Sequence, residues 1–168
     1  MPIEKKASER GAAERPLTYL DSSALIKRYV VEAGSAWVAR LCDAEPTAVS
    51  LVTVPEVASA LARRTREGDL TPQQRDTLFR LFLSDARSFV VVDVSQAISQ
   101  RAAALLLTAP ATVRLRSLDA LHVASALWTF ARARRRGVTT GSFVTADRAL
   151  AAAASWAGLS AINPEDHE

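Results

Sequence analysis

The chain is poor in the residues that build soft-metal and redox chemistry: of 168 residues, one is cysteine and two are histidine. A single cysteine, Cys42, excludes an internal disulfide and fits a reducing compartment. Its helical spacing from Trp37 and Val38 predicts a small buried hydrophobe rather than a reactive thiol. His122 and His167 with one thiol cannot furnish a zinc site of the Cys/His kind. Long apolar runs are missing too; none approaches the roughly 18–20 residues that a spanning helix needs. The opening stretch, MPIEKKASERGAAERP, has no apolar core of the signal-peptide type, so the expectation is a cytoplasmic protein. No internal repeat and no interdomain linker interrupts the chain.

What is present is ordinary for a globular domain: 49% apolar and 23% charged residues. The length suits one domain that buries about two-thirds of its unfolded surface. Residues 1–16 read as a flexible N-terminal extension, 17–164 as the folded domain and 165–168 as a polar C-terminal tail. The net charge of +3 is compatible with a polyanionic partner without requiring one. Arg132, Arg134, Arg135 and Arg136 form the densest basic cluster, with Arg63, Arg64 and Arg66 next. A solvated helix end accounts for either cluster as well as a phosphate contact does.

Short apolar runs alternate with helical patterns. LTYL, TAVS, FVVVDV, SFVT and LSAI read as strands, and the valine run of FVVVDV is expected to be covered on both faces. In SSALIKRYV, the residues Leu25, Ile26, Tyr29 and Val30 share one helical face. Thr71, Pro72 and Gln74 form a capping-box signature with proline at the first helical position. Trp128 and Trp156 fall on apolar stripes and read as core. Strands separated by helices predict a three-layer α/β/α domain around a parallel sheet. Ligands of such sheets sit beyond the carboxyl ends of the strands.

Asp21 ends the first strand and Asp147 follows the strand SFVT. Asp119 and Glu56 lie in first helical turns. Each has a plain structural reading, since acids at helix N-termini contribute about 0.5–2 kcal/mol as caps. Thr53 and Glu56 even fit a capping box. Taken together, four carboxylates would repel one another unless a proton or a cation intervened. With no histidine cluster or thiolate, such a set suits a hard cation, Mg²⁺ or Mn²⁺. A cation of that kind activates water for displacement at phosphorus. Spacing alone leaves open whether the four converge.

Four segments carry a resemblance: YLDSSALIKRYVVEAGS, VPEVASALARR, LRSLDALHVASAL and FVTADRALAAAA. In order and spacing they resemble the acidic motifs of PIN-domain ribonucleases, most closely the VapC toxins of bacterial VapBC toxin–antitoxin pairs. The likeness extends from Leu17 to Pro164. It implies a parallel sheet of about five strands and an acid cluster binding one or two Mg²⁺ or Mn²⁺ ions. By position, Asp21 and Asp119 correspond to the principal metal ligands. Asp147 corresponds to the fourth acid, holding a second metal or a metal-bound water. Glu56 corresponds to the second acid, acting on that water or orienting the site. Thr145 corresponds to a supporting hydroxyl; Ser22 is a second candidate for that role, though capping the following helix is the simpler expectation. His122, three residues after Asp119, reads as packing rather than as a general base.

The implied activity is hydrolysis of RNA phosphodiester bonds by metal-activated water, leaving a 5′-phosphate and a 3′-hydroxyl. Arg28, Arg116 and Arg148 are the candidates for offsetting substrate phosphate charge. The resemblance further implies a VapB-type antitoxin partner and a homodimer. The apolar surface of SALIKRYVVEAGSAWVARL and the third helix is the candidate contact region for both. A PIN nuclease of RNA processing or DNA repair would share the chemistry. A non-catalytic binding module would use the acids only as caps. An aspartyl phosphatase is a poor fit, because Ser23 stands where its second aspartate would be.

Overall fold

The computed structural model describes residues 15–167. The extension expected over 1–16 lies outside the described residues except for Arg15 and Pro16. Five strands alternate with helices: β1 (Leu17–Leu20), β2 (Thr47–Ser50), β3 (Val90–Val92), β4 (Thr140–Val144) and β5 (Ala161–Ile162). They form one all-parallel sheet in the order β3-β2-β1-β4-β5. Between β1 and β2 come α1 (Ser22–Leu25), a 3₁₀ turn (Ile26–Arg28) and α2 (Ser35–Ala44). Then follow α3 (Thr53–Glu67), α4 (Pro72–Asp85), α5 (Gln96–Thr108), α6 (Ser117–Arg134) and α7 (Arg148–Trp156).

The three layers follow from the period of two along each strand. Leu17, Tyr19, Ala48 and Phe143 point to one face, where Val123, Ala126 and Phe130 of α6 and Leu150 and Ala154 of α7 cover them. Leu20, Val49 and Val144 point to the other, under Leu25, Val38, Val57, Leu61 and Phe82. A parallel sheet buried on both faces in this way places the helix N-termini beyond the carboxyl ends of its strands. Gly141 lets β1 and β4 pair closely, because a Cβ there would collide with Thr18 Oγ1 where the β1–β4 register shifts.

Four expectations change. β3 is an edge strand, with Val90 and Val91 47% and 41% exposed and only Val92 buried. A continuous valine run does not distinguish an edge from a centre. Trp128 and Trp156 are each 37% exposed rather than core, and Arg132 lies over the Trp128 ring. The stretch expected to offer an apolar contact surface turns most of it inward: Leu25, Ile26, Tyr29 and Val38 are buried, while Val31 is open. Finally, the polar tail is docked as far as it is described. Pro164–Asp166 is a 3₁₀ turn, Glu165 pairs with Lys27 at 2.8 Å, and His167 stacks on Trp37. Lys27 is buried and so needs acceptors; Glu32, Glu165 and the Ala33 carbonyl supply them. Gly34 makes the docking possible, its φ of 81° and bare Cα fitting against the Pro164 carbonyl. Among the described residues no helix is long and apolar enough to cross a membrane.

Candidate active site

Asp21 follows β1 directly and is the N-cap of α1, its Oδ1 accepting the Ala24 amide at 2.9 Å. Ser23 Oγ reaches both carboxylate oxygens at 2.9 Å, and Thr145 Oγ1 donates to Oδ2 at 2.9 Å. Only 4% of Asp21 is exposed. Burial holds its carboxyl above the ordinary range, outweighing the opposing effects of His122 and the three hydrogen bonds. The same hydroxyls connect it to Asp147: Thr145 Oγ1 accepts the Asp147 amide and Ser23 Oγ accepts the Ala146 amide. Asp147 in turn caps α7, Oδ1 taking the amides of Ala149 and Leu150. Its Oδ2 has no hydrogen-bond partner among the described residues.

Glu56 behaves differently. The Thr53–Glu56 capping box does not form, and Thr53 Oγ1 is buried without a hydrogen-bond partner. Instead Glu56 Oε2 accepts from Ser22 Oγ at 2.5 Å and meets His122 Nε2 at 2.7 Å. His122 is itself buried, and its Nδ1 lies 3.0 Å from the Tyr19 hydroxyl. Burial pushes the Glu56 carboxyl up, but the interaction with His122, together with the Ser22 hydrogen bond, outweighs it and holds the group below its usual value. Ser22 therefore does not cap α1, a job Asp21 performs.

Asp119 is partly buried in the first turn of α6, where Oδ2 accepts the Arg116 amide at 3.0 Å. A cavity of about 780 Å³ opens at this end of the sheet. Ser22, Ser23, Glu56, Arg116 and Asp147 line it, as do the cations Lys27, Arg63 and Arg64. Asp21 sits beneath that lining, and Asp119 is flanked by Arg116 and Leu118, which belong to it. Among the described residues no three His, Cys, Asp or Glu side chains are grouped closely enough to hold a metal ion. The acids thus share one end of the sheet without forming a closed ligand set.

The PIN domain family matches residues 18–155. The chain belongs to that family. Ribonuclease VapC45 of Mycobacterium tuberculosis is 34% identical over 113 residues, 67% of this chain and 76% of the relative. Among solved structures, FitAcB of Neisseria gonorrhoeae shares 17% identity with a TM-score of 0.60, over 88% of this chain and 97% of its own. VapC20 of M. tuberculosis, a sarcin-ricin loop cleaving toxin, shares 18% with a TM-score of 0.57, over 84% and 95%. The three-layer fold and its five-stranded parallel sheet are those of a PIN domain.

Within this PIN domain the expected phosphate contacts separate. Arg116 lines the cavity and its guanidinium has no carboxylate partner among the described residues. Arg28 is committed elsewhere, to Asp43 and Asp85 at 2.9 Å each. Arg148 is exposed beside Asp166 and does not line the cavity. One supporting residue and one contact were not expected from the sequence. Ser23 was visible only as a hydroxyl two places after a capping aspartate. The contact between His122 and Glu56 spans 66 positions, beyond the reach of local spacing.

Proposed function

We propose that this PIN domain is a metal-dependent endoribonuclease acting as the toxin of a toxin–antitoxin pair. One observation carries the reading: Asp147 and Glu56 face one cavity with Arg116, and Ser23 and Thr145 tie Asp147 to the buried Asp21. Capping alone does not call for that shared hydroxyl pair. The donor chemistry is all oxygen and anionic, as Mg²⁺ or Mn²⁺ requires. Asp147 Oδ2 and Asp119 Oδ1 have no hydrogen-bond partner among the described residues, and buried Asp21 has only neutral donors within hydrogen-bonding distance. Asp21, Asp119 and Asp147 would hold the ion, which when bound supplies charge neutralisation at the phosphoryl group and a water of lowered pKa.

The chain's own residues do the rest. Glu56, ionised and fixed by Oε2, orients the attacking water and accepts its proton. Arg116 offsets charge on a substrate phosphate. Thr145 and Ser23 keep Asp21 and Asp147 in register. The ribonuclease relatives of the VapC kind support RNA as substrate; the protein partners in this reading are a small VapB-type antitoxin and a second copy of the chain. Asp21→Asn tests the reading. With Mg²⁺ or Mn²⁺ it should lower RNA cleavage by about 10²–10⁴-fold, the loss of several kcal/mol of charge stabilisation. Cleavage at the wild-type rate by the folded variant would refute it.

A further inference from the structure

Four elements meet at His122. β1 supplies Tyr19, α6 the imidazole, α3 Glu56 and α1 Ser22. An ionised carboxylate only accepts hydrogen bonds, so the proton between Glu56 Oε2 and His122 Nε2 belongs to the ring. Tyr19 is fully buried and stacked on Phe143, and burial pushes its hydroxyl pKa far up. In the Nε2–H tautomer Nδ1 is the acceptor, and the protonated Tyr19 hydroxyl 3.0 Å away donates to it. Both ring nitrogens are then used, which fixes the tautomer and the ring orientation. Ser22 adds a second donor to the same carboxylate oxygen. Glu56 Oε1 is left without a partner among the described residues, on a side chain that lines the cavity.

α3 leaves Glu56 free for this contact. The helix begins at Thr53 with Val52 as its N-cap, so Thr53 and Glu56 are one residue out of register for a capping box.

We propose that His122 is a positioning residue for Glu56, holding its Oε2 through a tautomer fixed by Tyr19. The inference rests on the nuclease reading above, in which Glu56 acts on the attacking water. In metal-free wild-type protein, two-bond ¹H–¹⁵N spectra should show the Nε2–H tautomer of His122, and Tyr19→Phe should weaken that preference. In cleavage assays, His122→Leu should lower kcat by about 10–100-fold with KM little changed, the usual effect of removing a partner that orients a reacting group. His122→Gln, whose amide can donate to Oε2, should recover most of the loss. Added to Glu56→Gln, His122→Leu should cost nothing further, because both act through one carboxylate.

An Nδ1–H tautomer in the wild-type protein would overturn the proposal. So would equal losses in His122→Gln and His122→Leu, or wild-type kcat in His122→Leu beside an impaired Glu56→Gln. Those results return His122 to packing and leave the nuclease reading intact. Wild-type cleavage by both Asp21→Asn and Glu56→Gln would remove the nuclease reading itself. The tautomer measurement needs no variant, so it decides even if His122→Leu fails to fold.

Discussion

On one side of the cavity Asp21 is sealed to 4% exposure and bonded only by two hydroxyls and an amide. On the other, Glu56 stays partly exposed and rests on an imidazole and a hydroxyl. The two carboxyls are consequently pushed in opposite directions, Asp21 up by burial and Glu56 down despite it. At Asp21 burial outweighs His122 and three hydrogen bonds, whereas at the less buried Glu56 the direct bonds to His122 and Ser22 outweigh burial. The difference assigns work. Asp21 is the acid that most needs a cation, and Glu56 the one already provided for. Two acids separated in this way can take different parts in one reaction.

The comparison can be broken at the hydroxyl pair. Thr145→Val removes a donor to Asp21 Oδ2 and an acceptor for the Asp147 amide, and should lower cleavage by about 10–100-fold. An unchanged rate would show that Asp21 and Asp147 do not depend on this link. Stability sharpens the contrast further. Asp21→Asn in metal-free protein should raise unfolding free energy at neutral pH by about 1–2 kcal/mol, since it replaces an uncompensated buried charge. Because the folded pKa is raised, the native state keeps a proton that the unfolded state releases as pH rises past the ordinary carboxylate range. The gain should therefore vanish in acid, grow with pH and become complete above the folded value.

Glu56→Gln should act with the opposite sign and smaller size, a loss below about 1 kcal/mol for a partly exposed pair. Its folded pKa is lowered, so wild-type Glu56 stabilises above the unfolded value, and that contribution disappears as pH falls through the folded one. Chemical denaturation of both variants across pH checks the pair. Shifts of the same sign would erase the distinction between the two sides.

Local rules made much of this legible from sequence. The Thr71–Gln74 capping box forms, and Asp21 and Asp147 cap the helices they precede. Short apolar runs separated by helical patterns predicted the parallel sheet. What stayed hidden depends on contacts between distant segments. Glu56 fits a capping box with Thr53 by spacing, but α3 starts at Thr53 itself and the carboxylate goes to Ser22 and His122, 34 and 66 positions away. The valines of β3 look like a central strand until the strand order places them at the edge. Glu165 looks like tail until the buried Lys27 claims it.

That pairing of Lys27 also bears on how the protein would respond to salt. Four cations line the cavity, but Lys27 and Arg64 are already neutralised by Glu32 and Glu165. Arg116, and Arg63 beside the exposed Glu67, remain for a polyanion. With two phosphates engaged, the logarithm of RNA affinity should fall with the logarithm of salt concentration at a slope of only about −1.4. Measured in filter binding with the uncleaving Asp21→Asn variant, a slope several times steeper would place the RNA on another surface. A shallow one would mean that few counterions leave when the strand arrives, and that binding at this cavity persists in concentrated electrolyte.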